Sequence, residues 1–107
     1  MLPRAFEYAQ TDPDPDRYEK WARARPWPGR TGTTDKWVFL ALCHRLRLER
    51  RPAFRATVRE IAELAQVNTK TVSKSLKRLQ CSGVIKWAGK NPQGSFLWSF
   101  TRMSNAT

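Results

Sequence analysis

Between residues 68 and 78 the chain reads NTKTVSKSLKR, and the side chains of this run are suited to one kind of chemistry, the binding of a polyanion. Lys70, Lys74, Lys77 and Arg78 are long cations of the kind that neutralise phosphate. Asn68, Thr69, Thr71 and Ser73 are short polar groups that bond phosphate oxygens or base edges. The run holds no acid, whereas a helix face that only meets water usually mixes signs. Lys70, Lys74 and Lys77 recur at helical spacing and so share a face if the run is a helix. A merely solvated basic face is the plain alternative.

The neighbouring residues say how such a helix is positioned. Thr57 and Glu60 form the pattern T-x-x-E, in which hydroxyl and carboxylate each satisfy an amide of the first helical turn. A helix is therefore predicted from Val58, with Val58, Ile61, Ala62, Leu64 and Ala65 on its apolar side. The pattern breaks at Gln66, Val67 and Asn68. Asn68 is a good N-cap for a second helix over 68–81, with Thr69 the weaker candidate. Val72, Leu76 and Leu79 supply its apolar stripe, with small Ser75 between them, and Ser82 and Gly83 end it. Two short helices joined by a tight turn, the second one polar and basic, are the layout of a helix-turn-helix, whose second helix enters the major groove of DNA.

At these residues the sequence resembles the winged helix-turn-helix superfamily, in particular bacterial MarR-type and GntR-type DNA-binding domains. The resemblance is carried by Ile61, Ala62, Ala65, Val67, Thr71, Val72, Ser73, Lys74 and Leu76, then by Leu79, Gly83, Val84 and Ile85. It implies that Ala62 lets the two helices pack closely, that Val67 plugs the turn, and that residues 68–74 enter the groove. Asn68, Thr69, Lys70, Thr71, Ser73 and Lys74 are then the base-facing candidates. The family commonly has Gly where this chain has Gln66 and Ser where it has Asn68. A Gln at positive φ carries roughly 1 kcal/mol of strain.

The resemblance spans about residues 35–100. Val84, Ile85, Lys86 and Trp87 read as a strand, AGKNPQG as a turn-rich connector, and SFLWSF as a returning strand with Phe96, Trp98 and Phe100 on one face. Two strands after a recognition helix make a wing, over 86–96, with Lys86, Lys90, Asn91 and Gln93 facing groove or phosphate. A plain structural hairpin is the alternative. Structured or single-stranded RNA is a further expected ligand if Trp87 or Trp98 is exposed, although the alternation makes at least one of them core. Ahead of the two helices, GRTGTTDKWVFLALCHRL resembles the C-terminal winged-helix region of primase-polymerase and helicase-type replication proteins of plasmids and phages.

Composition agrees with a nucleic-acid partner. The 107 residues carry a formal net charge of +11. Residues 1–30 hold six Lys/Arg and five Asp/Glu, while residues 31–107 hold fourteen and four. No acid follows Glu63, and seven Lys/Arg do. A pI of about 10.7 with one-sided charge is the electrostatic footprint of a nucleic-acid binder. No basic helix here also presents a broad apolar face, which argues against an anionic membrane. Cys43 and Cys81 fit neither a zinc site nor a redox pair; Cys43 is expected in the core and Cys81 partly buried. No signal peptide or membrane span is read, so a cytoplasmic, nucleoid-associated location is expected.

The remaining elements are a first helix and an N-terminal arm. Thr34 and Asp35 are expected to cap a helix from 36 to about 50. Phe39, Leu42, Cys43 and Leu46 make one apolar face of it, and Trp37, Leu40, Ala41 and Leu48 a neighbouring one. A helix apolar on two sides is buried on two sides. The second side needs either the arm, through Trp21 and Trp27, or a second subunit, a homodimer through helix 35–50 or the arm. Arg45, Arg47, Arg50, Arg51 and Arg55 cluster near its end, either to track phosphate or to complement the helix dipole. Residues 53–56 suit a short first strand. In the arm, Asp12 to Asp16 with alternate prolines reads as extended, 17–25 as one or two helical turns, and PWPGR as a break. Minor-groove insertion of the arm is weighed against packing, which its acids and tryptophans favour.

Catalysis finds no support. His44 lacks an acidic or cysteine partner at useful spacing and reads as structural, Ser73 and Ser75 have no matched base, and no cofactor or metal is expected. The predicted architecture is mainly α with a small β-hairpin, a winged helix-turn-helix of three core helices plus a wing over 33–102, an arm over 1–32 and a disordered tail over 103–107. Double-stranded DNA is the expected partner, in a replication module that works beside a helicase or primase. A small sequence-specific transcriptional repressor, or a winged helix that binds an acidic protein, are the alternatives.

Overall fold

The computed structural model describes residues 14–101; the expectations for the first part of the arm and for the tail over 103–107 lie outside them. Among the described residues the protein is mainly helical, with four helices and a small three-stranded antiparallel sheet. The order is α1 (Pro15–Ala24), α2 (Gly32–Glu49), β1 (Phe54–Arg55), α3 (Val58–Ala65), α4 (Thr69–Cys81), β2 (Ile85–Lys90) and β3 (Phe96–Phe100). The sheet order is β1-β3-β2, so the last strand lies between the other two.

α2 is the centre of the molecule and touches α1, α3, α4 and β1. Val38, Phe39, Ala41, Leu42, Cys43 and Leu46 are buried along it. With Phe54, Ile61, Val72, Leu76, Leu79, Ile85, Trp98 and Phe100 they form one core. Burial of each such aliphatic or aromatic side chain contributes about 1.5–3 kcal/mol. Burial also pushes the Cys43 thiol up to about 12, so it stays protonated as a core residue.

Several local expectations meet a different structure. α2 starts at Gly32, with Thr31 at the N-cap position, rather than behind a Thr34–Asp35 cap. Gly32 is needed there, because a Cβ would lie 1.9 Å from the Trp27 carbonyl oxygen. α1 is nearly three turns long and begins at Pro15, so Pro15 and Asp16 are helical rather than extended, while residues 12 and 13 lie outside the described residues. Asp14 caps the helix, accepting from the Asp16 amide at 3.0 Å, and Pro15 sits in the first turn, where its missing N–H costs nothing.

α1 packs on the Phe39 face of α2 and not on the neighbouring face of Trp37 and Leu48. Trp21 and Trp27 lie 5.3 and 5.9 Å from the Phe39 ring, and Tyr18 stacks on Phe100 at 4.6 Å. The Trp27 indole N–H donates to the Ala22 carbonyl at 2.8 Å, and Arg47 binds Asp16 and Glu19 across the two helices. The cover is incomplete: Trp37 and Leu48 remain exposed, as does Leu64 on α3 and His44 on α2. No helix among the described residues is long and apolar enough to cross a membrane.

Candidate nucleic-acid interface

The capping box that starts α3 is formed in full. The Glu60 amide donates to the Thr57 hydroxyl at 3.1 Å, and the Thr57 amide donates to the Glu60 carboxylate at 2.9 Å. Glu60 also faces Arg55 at 3.3 Å and Arg45 at 3.7 Å. Burial pushes its carboxyl up, but the Thr57 amide and hydroxyl and the two guanidinium groups outweigh that and hold it below the usual carboxylate range. α3 ends at Gln66, which takes the left-handed conformation at φ 58°, as its place in the turn requires. The Val67 amide donates to the Ala62 carbonyl at 3.1 Å, and the Val67 side chain packs on the core.

α4 then starts from Asn68, whose side-chain oxygen accepts from the Thr71 amide at 2.8 Å. That oxygen is thus a cap, and Asn68 sits exposed at the mouth of the helix. Val72, Ser75, Leu76 and Leu79 are buried, and the stripe they form fixes which side faces out. Thr69, Lys70, Ser73, Lys74 and Lys77 are exposed on the remaining surface, with Thr71 half-buried. Lys70, Lys74 and Lys77 form no ion pair among the described residues, and the first turn of α4 carries no acid. The partial positive charge of the helix N-terminus therefore adds to the lysines. Gly83, at φ +81°, follows the Ser82 C-cap and turns the chain into β2. Cys81 near this end is exposed rather than partly buried.

Arg78 departs from the expectation for it. Its guanidinium grips Asp35 of α2, with Nη2 to Oδ1 at 2.8 Å and Nε to Oδ2 at 3.1 Å. This hydrogen bonding raises the Arg78 pKa above its ordinary value, and the guanidinium is paired within the protein. Asp35 also accepts from the Ser75 hydroxyl at 2.6 Å, which satisfies a side chain with no exposed surface. The arginine cluster near the end of α2 likewise divides. Arg45 is buried, donating to Glu49 at 2.8 Å and to the Arg55 carbonyl at 3.1 Å, so it holds the fold together and does not track phosphate. Arg47 is committed to α1. Arg51, and Arg55 beside its Glu60 partner, line an open cleft with Lys90, Asn91 and Gln93 at the hairpin end.

In the hairpin, β2 runs on to Lys90, beyond the stretch expected from its apolar residues, by way of an irregularity between Trp87 and Lys90. Lys86, Lys90 and Gln93 are exposed. Asn91 is engaged differently from the expectation: its side-chain oxygen accepts from the Gln93 and Ser95 amides at 3.0 and 2.9 Å and so builds the turn. Trp98 is the core member of the tryptophan pair, its indole N–H donating to the Ala56 carbonyl at 3.2 Å, whereas Trp87 is 52% exposed. No family model matches the chain, and no curated protein or solved structure matches it.

Proposed function

We propose that the protein binds double-stranded DNA as a winged helix-turn-helix domain, with α4 in the major groove and the β2–β3 hairpin as the wing. The observation that carries this reading is the exposed surface of α4. Lys70, Lys74 and Lys77 are without acidic partners there among the described residues, beside Thr69 and Ser73, while the opposite stripe anchors the helix in the core. A groove about 12 Å wide admits one such helix. Lys70, Lys74 and Lys77 supply affinity and its salt dependence, and Asn68, Thr69, Thr71 and Ser73 bond base edges or backbone. Lys86, Lys90 and Gln93 of the wing, with Asn91 shaping its turn, meet the flanking backbone. Arg78 stands apart from the DNA-binding residues because Asp35 already neutralises it.

Within this reading a module of a plasmid- or phage-type replication protein, acting beside a helicase or primase, is favoured over a dimeric repressor. What supports it is the likeness of residues 29–46 to such proteins; α1 covers the Phe39 face of α2, while Trp37 and Leu48 on the neighbouring face stay exposed. Selection of bound sequences from randomised duplex DNA near physiological salt tests both points. A single asymmetric or repeated motif supports the replication-type module. A palindromic motif identifies a dimeric regulator instead. Retention of no DNA at any salt overturns the DNA reading and directs the search to an acidic protein partner.

A further inference from the structure

The hairpin carries an aromatic row that runs out of the core into solvent. Ile85 lies opposite Phe100, and Trp87 opposite Trp98. Cross-strand partners share a face of the sheet, and so do alternate residues of one strand. Ile85, Trp87, Phe96, Trp98 and Phe100 therefore belong to one face. Phe100, Ile85 and Trp98 are at most 5% exposed, but Phe96 is 37% and Trp87 52% exposed. Phe96 meets Trp87 edge-on at 6.2 Å and Trp98 edge-on at 6.3 Å, so the exposed pair is braced by a buried ring. Past the irregularity in β2, Lys90 comes opposite Phe96, with its ammonium 5.5 Å from the ring centroid.

We propose that Trp87 and Phe96 form a stacking platform for an unpaired base, on a single strand that continues from the duplex held by α4. The chemistry of the patch selects this occupant. Two rigid rings offer a flat apolar surface at little entropic cost, and every nucleobase has a π-face to match it. Lys90 beside Phe96 suits a phosphate of the same strand, and the chain has no acid after Glu63 to oppose it. Paired bases in a duplex offer no free face, so the platform takes a single-stranded tail or a splayed nucleotide. The duplex half of this statement rests on the function proposed above; the platform itself does not.

The test compares binding of a blunt duplex, the same duplex with a short single-stranded tail, the duplex with an abasic tail, and the tail alone. Each is titrated by fluorescence anisotropy against the wild-type protein and the Trp87→Ala/Phe96→Ala variant. The tail is expected to tighten wild-type binding by roughly 5- to 150-fold for a stacked base. The abasic tail should give little of that gain, and the variant should lose it while its affinity for the blunt duplex stays unchanged. Trp87→Phe should keep part of the gain. An abasic tail that works as well as a normal one overturns the proposal, even if the variant does not fold. A folded variant that keeps the gain, or a tail that adds nothing, also overturns it. If the wild type ignores the blunt duplex but binds the tail alone through Trp87, the platform stands and the major-groove reading falls; if it binds neither, both fall.

Discussion

Asp35 and Arg78 stand forty-three residues apart in sequence and meet in a two-pronged ion pair that ties the first turn of α2 to the last turns of α4. The same carboxylate accepts from the buried Ser75 hydroxyl, so one acid fixes the rotation of α4 about its axis. That rotation decides which residues of α4 face outward. Unequal effects of the two partners follow. Asp35→Ala leaves the Ser75 hydroxyl without its acceptor and should cost about 1–3 kcal/mol in urea unfolding. Arg78→Ala should cost less, about 1 kcal/mol at most, because its side chain is 37% exposed and screened by water. Equal losses would mean that the ion pair, and not the buried hydroxyl, carries the interaction.

The same relationship separates Arg78 from its lysine neighbours in binding. Arg78→Gln should reduce affinity for duplex DNA less than Lys74→Gln, measured side by side at one salt concentration. A larger effect of the arginine would show that Asp35 releases it to phosphate on binding.

Glu60 gives a pH dependence with a definite sign. Its carboxyl is held below the usual range in the folded protein, so the unfolded chain binds more protons as the pH falls through that region. Its contribution is therefore complete above the ordinary unfolded value of about 4.3 and is lost as the pH falls through the lower folded value. Glu60→Gln keeps the capping geometry but removes the charge between Arg45 and Arg55. The variant should be about 1 kcal/mol less stable near neutral pH and approach the wild type in acid. A difference that stays constant from neutral pH into acid would assign the loss to packing.

Gly32 is where α2 passes against the backbone of Trp27. Gly32→Ala places a methyl carbon 1.9 Å from that carbonyl oxygen, with no flexible side chain to yield. The strain should exceed the gain in helix propensity and destabilise by about 1–3 kcal/mol. Thermal unfolding checks this, and an alanine variant at least as stable as the wild type would show that the Trp27 segment moves freely.

The parts of the fold legible in the sequence are those whose signals are local. Thr57 and Glu60 fall three residues apart, Asn68 directly precedes its helix, and Gly83 follows the Ser82 C-cap, so α3, α4 and their junction can be read from spacing. The short strand at Phe54 follows from flanking residues, and alternation says that one of Trp87 and Trp98 is core without saying which. Long-range pairings leave no such mark. Asp35 reads as a cap because capping is what a lone acid near a helix start does locally; its partners Ser75 and Arg78 are brought to it only by packing. Pro15 reads as a breaker because a proline in a helix interior is one, yet at the first turn it is compatible. Trp37, Leu48 and Leu64 fit apolar faces by periodicity, but exposure depends on where the neighbouring elements stop. For the site, the outward lysines of α4 follow from helical spacing, whereas the loss of Arg78 to Asp35 and of the Asn91 oxygen to its own turn needs the three-dimensional arrangement.

The most direct test of the central claim is the salt dependence of duplex binding by the wild type and by Lys70→Gln/Lys74→Gln. If the two lysines each neutralise a phosphate, the slope of log K against log salt should fall in magnitude by about 0.9 for each lysine removed, with circular dichroism and thermal unfolding unchanged. A folded double variant that binds with wild-type affinity and wild-type slope would contradict the placement of α4 against DNA.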